Sequence, residues 1–218
     1  MIQDLKEKKL WIPLLLTAVC AVMLRVMPVR ALTIYVIYYA MLFAFFIPWM
    51  RPGTYFKSFR KPRAFWLPVL LTLLALTAVY FLRGFLLRLQ EHYYGDALLT
   101  PYINHSLDLW LYGITFLILM PVSAGLFYRG TYILHEDKRI TAGYLLLYAV
   151  IECLLYVDPE HPIGIVSALL PMIPLTVSLL LTRNPRIPIT AHVLFNAYDK
   201  VGFVVYSFVR AASDAGEF

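Results

Sequence analysis

The sequence predicts an all-α protein, a polytopic transmembrane helix bundle of about seven spans that forms a single transmembrane domain over residues 1–218. Hydrophobic residues make up 61% of the chain and charged residues 15%, and the mean hydropathy is +0.72. The apolar residues form continuous runs, unlike the alternating pattern of membrane-spanning β-strands. A soluble fold could not bury so much apolar surface, so this composition excludes a soluble enzyme, a disordered chain and a disulfide scaffold.

Seven apolar runs, separated by polar residues, prolines and glycines, define the predicted helices. Most contain about 17–22 residues, which at about 1.5 Å per residue cross a hydrocarbon core of about 30 Å. The first and the fifth run are the shortest. The seven runs are residues 10–24, 31–50, 64–82, 107–127, 141–157, 163–182 and 187–209.

The basic residues predict the orientation of these helices. With a cytoplasmic N-terminus, thirteen of the 19 lysines and arginines fall on the cytoplasmic side and five on the other. This asymmetry is typical of cytoplasmic loops and favours seven spans, with the C-terminus outside. The net charge of +6 therefore reflects membrane topology and not nucleic-acid binding.

Polar side chains inside apolar runs are the candidate functional residues, because charge is costly in a bilayer. Glu152 lies about twelve residues, or roughly 18 Å, into the fifth run. His192 and Asn196 lie one turn apart on one face of the seventh. Each has a structural alternative. Arg129, which closes the fourth run, could anchor a helix end, His192 and Asn196 could form interhelical hydrogen bonds, and Glu152 could pair with Tyr148, Arg129 or His192.

Other polar residues carry weaker predictions. Asp199 and Lys200 are neighbours in sequence, so we expect each to point away from the other and to find a separate partner. The remaining histidines fall in loops without metal-ligand spacing, and Cys20 and Cys153 lie in apolar runs. The sequence therefore predicts no metal and no cofactor.

Three segments, which begin at Pro121, Tyr148 and Ile189, lie in this order on three of the predicted helices. Together they resemble the motifs of the CAAX-protease and bacteriocin-processing family of intramembrane proteins. Pro121–Gly130 reads PVSAGLFYRG, and the family's first motif is proline, two residues, two glutamates, three residues, arginine and glycine. The segment from Ile189 reads ITAHVLFNAYD and matches the third motif, a histidine and an asparagine four apart. The second motif, phenylalanine and histidine, falls on Tyr148 and Glu152. The motif-bearing core covers about 107–210.

The resemblance implies an intramembrane peptidase of a bacterial or archaeal cytoplasmic membrane that acts on lipidated or membrane-inserted peptides. In the family a glutamate acts as general base for water, and histidine and asparagine assist. Here the glutamate pair falls on Ala124 and Gly125. The roles that the resemblance then implies are Glu152 as base, His192 as water positioner or electrophile, Asn196 as oxyanion donor, and Arg129 as a clamp or as a contact for a substrate carboxylate.

Three explanations of the missing glutamates stay open. Ala124 could mark an inactivated variant, Glu152 could replace the lost base, or the chain could be a non-catalytic relative that binds another membrane protein or a lipid-linked ligand. A small transporter that uses Glu152 and Lys200 as intramembrane charges is a further alternative. The enzymatic alternatives require Ala124, Glu152, His192 and Asn196 to converge on one wet polar pocket.

Overall fold

The computed structural model describes residues 11–26, 31–50, 64–94, 106–126, 138–156, 165–166 and 169–214. Regular structure in these ranges is helical and they contain no β-strand, which confirms the predicted all-α class. Within this part of the chain we number seven helices: α1 (Trp11–Val26), α2 (Ala31–Met50), α3 (Trp66–Tyr94), α4 (Ser106–Gly113, Ile114–Leu119 and Met120–Ala124 in unbroken succession), α5 (Lys138–Tyr156), α6 (Met172–Thr182) and α7 (Arg186–Asp214).

Each predicted apolar run overlaps one of these helices, and α7 continues five residues beyond its run to Asp214. The largest differences from the prediction are in α3 and α6. α3 continues to Tyr94, beyond its apolar run, because the mixed segment after Arg83 contains good helix formers such as leucine and glutamate. α6 begins only at Met172, directly after Pro171, and has 11 residues. The N–H of Leu170 donates to the carbonyl of Val166 in a helical turn, but Pro171 has no N–H to continue that turn, so α6 begins after it.

Two helices are long and apolar enough to cross a membrane, over Trp66–Leu89 in α3 and Leu107–Ala124 in α4. α1, α6 and the apolar parts of α2 and α5 are shorter, and α7 does not meet the same hydropathy criterion among the described residues. On α3, Leu67, Leu71 and Leu74 are each more than half exposed. A contiguous apolar surface of this kind is unusual on a soluble monomer.

The first helices meet at the C-terminal end of α5. The hydroxyl of Tyr35, near the start of α2, donates to the carbonyl of Leu155 at 2.7 Å. The guanidinium of Arg25, at the end of α1, donates to the carbonyl of Leu154, also at 2.7 Å. These carbonyls belong to the last turn of α5, where no intrahelical donor remains. The end of α1, the start of α2 and the end of α5 therefore lie at one level.

A second buried cluster joins α3, α6 and α7 through Val69, Leu76, Leu175, Ile187 and Ala191. Thr72 of α3 is level with Ser178, close to where α7 begins, and Tyr80 packs against Phe195 further along α7, so α3 and α7 run in the same direction. Between α3 and α6, the hydroxyls of Thr72 and Ser178 lie 2.8 Å apart.

A tight corner between α6 and α7 fixes where α7 begins. Arg183 adopts the left-handed conformation with φ 51°, and its N–H donates to the Leu179 carbonyl at 2.8 Å, which ends α6. The side-chain oxygen of Asn184 accepts a hydrogen bond from the N–H of Arg186 at 3.1 Å. Asn184 caps α7, and Pro185 follows at the first helical position, where its missing N–H costs nothing.

Candidate functional site: a polar seam between α4 and α7

The middle of α4 is a π-helical segment, Ile114–Leu119, and Pro121 explains it. Proline has no N–H and cannot donate within a helix. The N–H of Met120 donates to the carbonyl of Thr115, five residues back, instead of to Phe116. The π-helical donor for Phe116 would be residue 121, which is the proline. The backbone of α4 therefore supplies no donor for the Phe116 carbonyl.

Asn196 of α7 supplies this donor. Its side-chain Nδ2 lies 2.7 Å from the Phe116 carbonyl oxygen and 4.0 Å from the sulfur of Met120. Asn196 is 5% exposed, so the bond lies inside the protein. The asparagine that the sequence predicts as an oxyanion donor is thus engaged with the backbone of the neighbouring helix. It forms the interhelical hydrogen bond that we considered as its structural alternative.

Beyond the π-helical segment, Gly125, which directly follows α4, packs tightly against α7. A Cβ atom on Gly125 would overlap Cγ1 of Ile189 and lie 3.0 Å from its Cδ1. Ile189 is a buried, β-branched residue within a helix, so its side chain has little rotamer freedom to withdraw. Position 125, where the family carries its second glutamate, has no room for a side chain unless Ile189 moves.

His192 lies between these two contacts. It is three residues after Ile189 and four before Asn196, so all three share one face of α7, and His192 is 6% exposed. Further along, the rings of Tyr112 and Phe203 lie with centroids 5.0 Å apart. We define the α4–α7 seam as the region that these contacts enclose. It comprises Tyr112, Phe116 and Met120 of α4, Gly125 directly after α4, and Ile189, His192, Asn196 and Phe203 of α7.

The seam lies at the level of both candidate spans. Phe116 and Tyr112 fall within Leu107–Ala124. Phe195, next to Asn196, packs edge-on against Tyr80 of the other span, with ring centroids 6.0 Å apart. As residue numbers rise along α7 they fall along α4, so the two helices are antiparallel.

Hydroxyl side chains within the helices are a further polar feature that sequence reasoning missed. Thr17, Thr72, Thr77 and Thr182 each bond back to the carbonyl four residues earlier, as threonines in helices commonly do. Thr115 and Ser123 of α4 are buried, yet their hydroxyls have no hydrogen-bond partner among the described residues. The only sequence signal for this unusual region is Pro121 within an apolar run.

The predicted site residues are only partly brought together. His192 and Asn196 lie in the seam, and Ala124, adjacent to Gly125, is buried in the main hydrophobic cluster. Arg129 and the side chain of Glu152 lie outside the described residues. The backbone of Glu152 is four residues before the end of α5, which packs chiefly along α1, whereas α7 packs on α3, α4 and α6. Convergence of Glu152 with His192 therefore stays a prediction.

The expectation for Asp199 and Lys200 is wrong. The Lys200 ammonium lies 2.6 Å from a carboxylate oxygen of Asp199, so the two neighbours form an ion pair with each other. Adjacent residues of a helix are 100° apart, but the long and flexible side chain of Lys200 reaches back across this angle. The prediction considered only the helix face on which each residue lies. Within the described ranges no three histidine, cysteine or acidic side chains come together as metal ligands.

Compared with family models, curated proteins and solved structures, the chain gives no match.

Proposed function

We propose that this chain is a non-catalytic integral membrane protein that binds another membrane protein or a lipid-linked ligand. In this proposal its seven helices form one bundle in a bacterial or archaeal cytoplasmic membrane, with the N-terminus in the cytoplasm. The observation that carries the proposal is the hydrogen bond from Asn196 to the Phe116 carbonyl.

An oxyanion donor must present a free N–H to the developing negative charge. The Asn196 amide instead donates to a carbonyl that Pro121 leaves without a backbone donor. If Asn196 moved away, that carbonyl would be buried in a low-dielectric interior without a hydrogen bond. Ala124 cannot take a proton from water, and Gly125 has no space for a glutamate. Each feature favours the seam as a structural joint between two helices.

The membrane part of the proposal rests on surface chemistry. The outward sides of the helices are lined by large apolar residues, such as Trp110 on α4 at 73% exposure and Leu181 on α6 at 80%. Asn196 of α7 turns inward and bonds to α4, as expected where lipid is the outer solvent.

The test is a cleavage assay on the purified full chain in lipid nanodiscs. The substrates are a prenylated peptide and a membrane-inserted peptide, and the matched control is His192→Ala. We expect no cleavage above protein-free nanodiscs for either protein. We also expect an affinity-tagged chain to retain a membrane partner at fixed stoichiometry. Cleavage by the unaltered chain that His192→Ala abolishes would make the proposal wrong.

A second candidate is the intramembrane peptidase, or a related acyl-transfer enzyme, with Glu152 as base. It is favoured by His192 and Asn196, which are both buried on one face of α7. Here His192 would position the water, Asn196 would leave Phe116 to bind the oxyanion, and Arg129 would contact the substrate.

This candidate predicts that Glu152→Gln and His192→Ala each abolish turnover and leave the thermal unfolding temperature unchanged. Cleavage that survives in both variants would eliminate it. Asn196→Asp is a useful third variant, because it keeps the size of the side chain while removing the amide donor.

A further inference from the structure

The polar residues of α7 are concentrated on one side. Asn196 and Phe203 mark the line of α7 that faces α4, through their contacts with Phe116 and Tyr112. At 100° per residue, His192 and the fully buried Ser207 lie within 40° of this line, and Asp199 and Lys200 lie one on each side of it. We define these five residues as the polar face of α7: His192, Asn196, Asp199, Lys200 and Ser207.

The opposite side of the same helix segment is apolar and exposed. Val201 and Val205 are 49% and 55% exposed, and a Cβ atom added to Gly202 would point into open space, with nothing within 4 Å. In a bilayer this side is the one that contacts lipid. The ion pair therefore belongs to the side of α7 that faces the bundle.

The ion pair is nevertheless partly accessible. The side chains of Lys200 and Asp199 are 26% and 17% exposed, whereas the flanking residues Asn196 and Ser207 are 5% and 0% exposed. Along α4 the pair is level with the stretch between Tyr112 and Phe116, inside the apolar span. A charged pair exposed to hydrocarbon at this level would be costly, so such groups face a water-filled space in membrane proteins.

We propose that water enters the bundle between α4 and α7 at Asp199 and Lys200, and forms a hydrated crevice that ends at Asn196. The proposed occupant is water, held by the charged pair near the mouth. Thr115 directly precedes Phe116 in α4, and its hydroxyl is buried without a partner among the described residues, so water that extends to this level would give it a hydrogen-bond partner. The inference rests on the membrane placement proposed above and not on the absence of catalysis.

Cysteine labelling in lipid nanodiscs tests this proposal. The probe is a membrane-impermeant cationic methanethiosulfonate, and the background is the full chain with Cys20 and Cys153 replaced by alanine. A cysteine thiolate attacks the reagent sulfur and expels methanesulfinate, and thiolate forms readily only where water reaches it. Nanodiscs leave both membrane surfaces open to reagent, so the result does not depend on orientation.

We expect Lys200→Cys and Asp199→Cys to be labelled at least tenfold faster than Val201→Cys and Val205→Cys. The ranking is informative because the two valines are the more exposed residues in the structure. Thr115→Cys, at the inner end, should label more slowly than Lys200→Cys but faster than Val201→Cys. Thermal unfolding of each variant identifies any that fails to fold, and Thr115→Cys keeps the ion pair intact.

Two other results have distinct meanings. If positions 115, 199 and 200 label no faster than position 201, and all label slowly, the crevice is dry and the inference is overturned, although the membrane placement stands. If positions 201 and 205 label as fast as free cysteine, the apolar side of α7 lies in water, and the membrane placement fails together with the inference.

Discussion

Two joints between helices in this protein are made in different ways. In the α3–α6 joint, the Thr72 hydroxyl lies 2.8 Å from the Ser178 hydroxyl and also 2.7 Å from the Pro68 carbonyl of its own helix. This contact joins two side chains and does not replace a missing backbone hydrogen bond. In the α4–α7 seam, a side chain of one helix bonds to the backbone of the other, because Pro121 has removed a backbone donor.

The comparison distinguishes a polar contact that the backbone needs to satisfy its hydrogen bonds from one that only adds to a satisfied backbone. Removing Thr72 would leave a serine hydroxyl that can rotate to another acceptor. Removing Asn196 would leave a carbonyl that cannot move, and a buried unsatisfied carbonyl costs about 1–3 kcal/mol. The seam also depends on close approach at Gly125, whereas the α3–α6 joint has no described glycine contact.

The largest loss of stability should come from adding a side chain at Gly125, where the seam is tightly packed. Gly125→Ala places a methyl group against Ile189, and we expect it to lower the free energy of unfolding by about 1–3 kcal/mol. The matched control is Gly202→Ala, a helical glycine with open space, which should be neutral or stabilising by up to about 1 kcal/mol. Denaturation by sodium dodecyl sulfate, followed by circular dichroism, measures both.

Ile189→Ala should recover part of the loss in the Gly125→Ala protein, because it removes the atoms that the new methyl group meets. Equal stability of the two glycine variants would contradict the close approach.

The second largest loss of stability should come from Asn196→Ala. We expect it to lower the free energy of unfolding by about 1–2 kcal/mol, since the Phe116 carbonyl loses its donor. In a Pro121→Ala background the loss should be smaller, because an N–H at position 121 lets α4 satisfy its own carbonyls. The same denaturation measurement on the four proteins of this double-mutant cycle gives the coupling. An identical loss in both backgrounds would show that Pro121 is not the reason for the Asn196 bond.

A smaller effect is expected at the α3–α6 joint. Thr72→Val should cost about 0.6 kcal/mol, the average for interhelical hydrogen bonds in membranes. Thr77→Val is the control, because the Thr77 hydroxyl bonds to the Leu73 carbonyl of its own helix at 2.9 Å, and it should change stability less. If Thr72→Val proves more harmful than Asn196→Ala, the distinction between the two joints is lost.

The smallest effect is expected at Ser123. Its hydroxyl is buried without a partner among the described residues, so Ser123→Ala should change the free energy of unfolding by less than about 0.5 kcal/mol or raise it. Thr17→Val provides the contrast, because the Thr17 hydroxyl lies 2.8 Å from the Tyr38 hydroxyl and that bond would be lost. A clear destabilisation by Ser123→Ala would mean that this hydroxyl is hydrogen-bonded in the folded protein.

Sequence reasoning located the helices well but the site only in part. Continuous apolar runs and the prolines and arginines between them mark helix positions, because helical length and hydropathy are local properties. The pairing of His192 with Asn196 on one face followed from the helical repeat. The partner of Asn196 could not be predicted, since every residue has a carbonyl and only the π-helical segment singles out Phe116. The Asp199–Lys200 pair was missed because helix periodicity describes where Cβ atoms lie and not how far a lysine reaches.

The sequence by itself determined that this protein is helical and apolar, roughly where each helix lies along the chain, and which face of α7 is polar. These properties depend on composition and on contacts a few residues apart in the chain. Only the tertiary structure decided that the polar face of α7 turns to α4, that Asn196 bonds to the Phe116 carbonyl and that Gly125 must stay without a side chain. These contacts join residues some 60 to 80 positions apart in the chain, which helix packing brings together. A local sequence pattern does not specify which distant residues will meet.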